Sequence, residues 1–192
     1  MSKPKILAFA GSTRADSYNK KLIKVAIEGA KAAGADVTYL DLRDFPMPLY
    51  DGDLEENEGL PENAGKFKKI LLEHQGLLIS SPEYNSSISG VLKNSIDWAS
   101  RAETETEAPL ACFNNKVAGL MAASTGNLGG LRGLVHLRAI LGNINVLVIP
   151  QQMAISRAHE AFDSNGTLKD PKQQKLVENI GARVAQILIK LG

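Results

Sequence analysis

The stretch Gly11-Ser12-Thr13-Arg14-Ala15-Asp16-Ser17-Tyr18-Asn19 carries almost nothing but hydrogen-bond donors, and it lies between an apolar run and a helical pattern. Ile6 to Ala10 has the length and composition of a parallel strand buried on both faces. Leu22, Ile23, Ala26, Ile27 and Ala30 then recur at helical spacing. A turn placed this way delivers backbone N–H groups and hydroxyls to a helix N-terminus, where an anion binds without a metal. Neither G-x-x-x-x-G-K-[ST] nor G-x-G-x-x-G is present in this turn. Hydroxyls from Ser12, Thr13 and Ser17, the Asn19 amide and the Arg14 guanidinium suit a single monophosphate. A helix cap within a Ser/Thr-rich turn is the competing reading of this segment taken alone.

Two further segments belong beside it. Leu77 to Ser81 reads as a strand that ends in Pro82-Glu83-Tyr84-Asn85-Ser86-Ser87, where the proline forces Ser81 extended and stops the strand. Such a turn can offer N–H groups to the edge of a planar heterocycle and an aromatic to its face. Val117 to Ala123 is a third buried run, followed by Ser124-Thr125-Gly126-Asn127-Leu128-Gly129-Gly130-Leu131-Arg132-Gly133. Its glycines let the backbone approach a ligand closely.

The elements that must position these segments follow from periodicity. Strand-like runs at 5–10, 36–41, 76–81, 116–123 and 144–150 alternate with helical patterns at about 18–33, 62–75, 88–101, 128–142 and 171–191. That alternation predicts a parallel α/β sheet of order 2-1-3-4-5, whose ligand crevice opens beyond strands 1 and 3, where the order reverses. The stretches 44–61 and 151–169 are too long for compact connections and are read as functional or interfacial loops.

Composition sets the outer bounds. A chain of 192 residues suits one domain spanning 1–192. A net charge of +1 gives no nucleic-acid footprint. The single cysteine, Cys112, excludes an internal disulfide and a cysteine metal cluster, and it reads as a small buried residue. No apolar stretch reaches the length of a membrane span and no signal-type segment opens the chain, so the expected setting is cytoplasmic, without a membrane partner.

Read in order, Gly11-Ser12-x-Arg14-x-x-Ser17-x-Asn19, Ser81-Pro82-Glu83-Tyr84-Asn85 leading to Leu92-Lys93-Asn94-x-x-Asp97-Trp98, and Ser124-Thr125-Gly126-x-x-Gly129-Gly130-x-Arg132 resemble the NADPH-dependent FMN reductase family, whose chromate, quinone and azo-dye reductases have a flavodoxin-like fold. The resemblance implies a three-layer sandwich with helices on both faces of the sheet. It implies that Ser12, Arg14, Ser17 and Asn19 bind the FMN phosphate. By the same resemblance Pro82, Glu83, Tyr84 and Asn85 line the isoalloxazine, and Ser124, Thr125, Gly126 and Gly129 close its pyrimidine side. N–H groups at Thr125 and Gly126 are expected to face the flavin edge where negative charge gathers on reduction.

The chemistry would then be the cofactor's, with NADPH or NADH giving hydride to flavin N5 and a quinone, azo compound, chromate or free flavin accepting it in ping-pong fashion. No catalytic side chain and no metal are expected. A flavodoxin-type electron carrier or flavin-binding regulatory module is the alternative. A serine hydrolase is rejected for want of a G-x-S-x-G elbow. The resemblance also implies a homodimer or homotetramer.

The remaining chemistry-bearing residues read as structural. His74 is expected to favour the carbonyl end of its helix, His136 lies on the fourth helix, and His159 is a loop residue. Trp98 reads as packing, with Lys93, Asn94 and Asp97 shaping their helix and a subunit contact. Arg101 to Glu107 is expected to be a solvated helix end or an inter-subunit ion-pair site.

Overall fold

In the computed structural model, which describes residues 3–192, a five-stranded parallel sheet forms the middle layer. Its strands are β1 (Lys5–Ala10), β2 (Asp36–Asp41), β3 (Gly76–Ser80), β6 (Val117–Ala123) and β7 (Leu147–Ile155), in the order β2-β1-β3-β6-β7. This is the predicted 2-1-3-4-5 order. The two intervening strands, β4 (Glu83–Tyr84) and β5 (Ser87–Ile88), form a separate hairpin.

Helices α1 (Tyr18–Ala32) and α7 (Pro171–Leu191) cover one face, where Ile6, Ala8, Leu78 and Met121 pack with Ile23, Ala26, Ile180 and Val184. On the other face α3 (Glu62–Leu72), α4 (Gly90–Ala99) and α5 (Leu131–Asn143) bury Leu7, Phe9, Ile79 and Leu120 against Phe67, Leu92, Ile96 and Leu137. Every residue of β3 and β6 is buried, so these strands read as continuous apolar runs because both faces are covered. Helices α1 and α7 meet backbone to backbone: a Cβ on Gly29 would strike the Glu178 carbonyl, and one on Gly181 the Ala26 carbonyl. No described helix is long and apolar enough to cross a membrane.

Several boundaries differ from those expected. The last strand runs from Leu147 to Ile155 instead of 144–150, continuing through Pro150, which stands on an edge strand beside an irregularity in pairing between Ala118 and Leu120. An edge strand tolerates the missing N–H there. Pairing resumes at Gln152 and takes residues 151–155 of the expected 151–169 loop into the sheet, while α6 (Ala158–Ala161) takes another turn. The 44–61 stretch contains α2 (Gly52–Glu58), whose N-terminus Asp51 caps through its carboxylate.

Helix α3 stops at Leu72, before 75, and α5 starts at Leu131, after 128. At the latter end Gly129 and Gly130 take φ values of +63° and +94°, which other residues rarely adopt, and hold the chain outside the helix until Leu131. Helix α4 likewise starts at Gly90 rather than 88, capped by the Ser89 hydroxyl on the Leu92 N–H.

His74 meets its expectation, with Nδ1 against the Ile70 carbonyl at 2.6 Å and Nε2 against Thr38 Oγ1 at 2.8 Å. Cys112 is buried, and Trp98 is packed with its Nε1–H on the Pro48 carbonyl at 2.8 Å. The acidic run after Arg101 is tied inward: Lys68, buried beneath it, holds Glu107 at 2.7 Å. Glu107 therefore pairs within its own chain.

Candidate functional site

The three polar segments leave the carboxyl ends of β1, β3 and β6, which are neighbours at the centre of the sheet. Their starting points are bonded to one another. The Gly11 N–H donates to the Ser80 carbonyl at 2.9 Å, and the Ser81 N–H to the Met121 carbonyl at 2.9 Å. The loops thus form one surface at the point where strand order reverses.

The first loop presents the N-terminus of α1. Ser17 is its N-cap residue, with φ −91° and ψ 129°, yet its hydroxyl makes no capping bond and the residue is buried. No acidic residue stands in the first turn. Such a helix end keeps N–H donors and an available hydroxyl together, which is the arrangement an anion needs. Ser12 is buried and its Oγ accepts the Arg14 N–H at 3.3 Å, while Thr13 and Arg14 are exposed. The Arg14 guanidinium lies 6.0 Å from the Tyr18 ring centroid, and Tyr18 stacks on Phe162 at 6.2 Å.

Two neighbours brace this turn. Arg43 Nε donates to the Thr13 carbonyl at 2.9 Å, and Ser89 Oγ to the Gly11 carbonyl at 2.6 Å. Lys20, in the first turn of α1, is spent on Asp41 at 2.6 Å. Burial pushes the Asp41 carboxyl up, and the bonds it accepts from Lys20 and from the Arg43 N–H more than reverse this, leaving it below the usual carboxylate range.

The Asn19 side chain points inward. Its Nδ2 donates to the Ala123 carbonyl at 2.9 Å, and its Oδ1 accepts the Ala123 N–H at 2.9 Å and the Ser80 hydroxyl at 2.8 Å. Its backbone remains in the first turn of α1.

In the second loop Pro82 is buried and Tyr84 is 58% exposed, an open aromatic at the crevice. Asn85 and Ser86 both take positive φ, 49° and 69°, as a two-residue hairpin turn between β4 and β5 requires. The Glu83 side chain turns away from the crevice toward α5. Its Oε2 accepts the N–H groups of Arg132 and Gly133 at 3.0 and 3.2 Å, and its Oε1 accepts the Arg132 guanidinium.

In the third loop the Gly126 N–H donates to Ser124 Oγ at 3.2 Å, and Thr125 and Gly126 are exposed. The chain after β7 closes over this loop through Ala158 N–H to the Ser124 carbonyl and Arg157 N–H to the Gly126 carbonyl. Gly129 packs where a Cβ would meet the Ile155 backbone at 2.7 Å.

Eleven of the twelve expected site residues therefore lie on these three adjoining loops and Asn19 in the first turn of α1, and the side chains of Asn19 and Glu83 are committed to protein partners. The braces Arg43, Ser80 and Ser89 were not anticipated. Only Ser89 carried a signal, as a serine just ahead of a helical pattern.

A hollow of about 1230 Å³ opens at the opposite ends of the strands and includes Lys5, Gln75, Lys116 and Leu188 in its lining. Two of its polar side chains are engaged within the protein, Lys116 Nζ on the Leu71 carbonyl at 2.8 Å and Gln75 Oε1 on the Lys5 N–H at 3.0 Å. The loops at the carboxyl ends are the candidate site. Among the described residues, no group of His, Cys, Asp and Glu could hold a metal ion.

Residues 4–160 match the model of the NADPH-dependent FMN reductase family. An NAD(P)H-dependent FMN reductase of Pseudomonas aeruginosa is 36% identical over 175 residues, covering 91% of this chain and 89% of its own. An NAD(P)H:quinone oxidoreductase of Solanum tuberosum is 33% identical, covering 97% and 94%. Among solved structures, FerB, a flavoenzyme NAD(P)H:(acceptor) oxidoreductase of Paracoccus denitrificans, superposes with a TM-score of 0.81 at 26% identity, covering 97% of this chain and 98% of FerB. The parallel sheet, the loops at its carboxyl ends and these likenesses agree that the chain belongs to the NADPH-dependent FMN reductase family of oxidoreductases.

Proposed function

We propose that the chain binds FMN across its three carboxyl-end loops and uses it to pass reducing equivalents from NAD(P)H to a small acceptor, a quinone first of all. The observation that carries this reading is the α1 N-terminus: the buried residue Ser17 with its hydroxyl free of any capping bond, no carboxylate in the first turn, and the buried Ser12 beside it. These groups fit a phosphate. Ser12, Ser17 and the N–H groups of the first turn hold it, and Arg14 closes it from the solvent side. Pro82, Tyr84 and Asn85 then flank the ring, with Ser124, Thr125, Gly126 and Gly129 at its pyrimidine edge.

When bound, the flavin supplies hydride chemistry, and the protein supplies binding and alignment. The exposed Thr125–Gly126 turn offers its donors to the edge of the ring. The open surface beside Tyr84 gives donor and acceptor one shared place, so they bind in turn and the kinetics are ping-pong. A flat stacking surface rejects few acceptors, which extends the reading to azo compounds, chromate and free flavin. Association into dimers or tetramers belongs to the same reading, supported by Leu128, Leu131 and Val135, exposed at the start of α5.

The test is the visible spectrum of the purified protein, with mass identification of any released cofactor, followed by stopped-flow mixing with NADPH. Flavin bands that bleach with NADPH and return with benzoquinone are expected. A protein that takes up no FMN overturns the reading.

A further inference from the structure

Asn19 makes three bonds where a phosphate ligand would make one. Ser81 donates to the Met121 carbonyl on the β3 side of β6. Residues two apart on a strand face the same neighbour, so the Ala123 N–H and C=O also point toward β3. At that level β3 has ended at Ser80 and the chain has turned away at Pro82. Ala123 is 3% exposed, and both of its backbone groups would be orphaned there. The Asn19 carboxamide satisfies both, donating to the carbonyl and accepting from the N–H, and its Oδ1 also receives the Ser80 hydroxyl. Ser80 in turn accepts the Gly11 N–H through its carbonyl. One amide therefore joins the ends of β3 and β6 and the first turn of α1, from which all three loops depart.

We propose that the Asn19 side chain is a positioning residue that sets the three cofactor loops in one frame, and that it does not contact the phosphate. The inference rests on the FMN reading above and assigns a different task within it. A phosphate contact favours FMN over riboflavin, which lacks the phosphate. A residue that fixes all three loops supports both flavins alike.

Flavin-free wild type, Arg14→Ala, Asn19→Ala and Ser80→Ala are titrated with FMN and with riboflavin by fluorescence quenching. Arg14→Ala is expected to weaken FMN alone. Asn19→Ala is expected to weaken both flavins by a similar factor, about tenfold for hydrogen-bond losses of this kind, and Ser80→Ala by a smaller common factor. At saturating FMN the visible circular dichroism of the flavin changes in Asn19→Ala and stays unchanged in Arg14→Ala. Weakening of FMN alone by Asn19→Ala, or unaltered binding of both flavins, overturns the proposal. If Asn19→Ala does not fold, Ser80→Ala decides by the same comparison with Asn19 in place. A wild-type chain that takes up neither flavin refutes the FMN reading itself, a result distinct from any change in the ratio.

Discussion

The carboxylate of Glu83 caps a helix to which it does not belong. It leaves the β4–β5 hairpin, receives the N–H groups of Arg132 and Gly133 at the start of α5 and pairs with the Arg132 guanidinium, its side chain only 8% exposed. Helix α5 begins at a glycine cap with no capping side chain of its own. Glu83 supplies the missing acceptor from the neighbouring loop and fastens the second loop to the third.

Removing that acceptor strands two helix-terminal donors, so Glu83→Ala is expected to lower stability by about 1–3 kcal/mol, with Glu83→Gln costing less. Urea unfolding of the two variants measures this.

The same carboxylate predicts an acid limit. Burial pushes its pKa up, but the Arg132 guanidinium and the Gly133 and Arg132 N–H groups outweigh burial and leave it below the ordinary value. A depressed carboxylate contributes stability that is complete above its unfolded pKa, about 4.3, and is lost as pH falls toward the folded value. Thermal unfolding between pH 3 and 6 is expected to show this loss in the native chain and a smaller one in Glu83→Gln.

Asn94 holds the segment ahead of α2 at two points, donating to the Pro48 carbonyl and accepting the Tyr50 N–H, both at 2.8 Å. The segment is largely exposed, and Tyr50 packs edge-on against Trp98 at 5.0 Å. Asn94→Ala is expected to release residues 46–58 locally, at about 1–2 kcal/mol, with little change in the global midpoint. Faster amide exchange confined to this segment is the expected signal.

The backbone contact between α1 and α7 leaves no room for a methyl group at Gly29 or Gly181. Either Gly→Ala substitution is expected to force the helices apart and cost about 3 kcal/mol, despite the better helix propensity of alanine. Denaturant midpoints test this, with Gly65→Ala, which meets open space on α3 and is expected to stabilise by up to about 1 kcal/mol through helix propensity alone, as the control.

Burial pushes the Cys112 thiol up to about 11, and the nearby Lys68 and Lys116 offset this only in part. Its hydrogen is donated to the Ala99 carbonyl at 3.0 Å. The native protein is expected to react with a thiol reagent at pH 8 no faster than it unfolds, and one thiol per chain is expected to titrate in denaturant.

The sequence by itself determined the sheet and the three loops that make up the candidate site. Continuous apolar runs such as Ile6 to Ala10 and Val117 to Ala123, separated by helical periodicity, admit few arrangements other than a covered parallel sheet, and donor-rich residues at three strand ends mark its crevice. Periodicity is local and survives without knowledge of partners. Where a pattern was interrupted, as at Pro150, local reading failed, because whether a proline ends a strand depends on whether that strand lies at an edge.

Only the tertiary structure decided what each polar side chain does. Asn19 and Glu83 stand in motifs beside Ser12 and Tyr84, yet they turn to Ala123 and α5, residues 104 and 49 or 50 positions away. A side chain bonds whichever donor or acceptor the fold leaves unpaired within its reach. Those unpaired groups exist only once β3 has ended and α5 has begun against it.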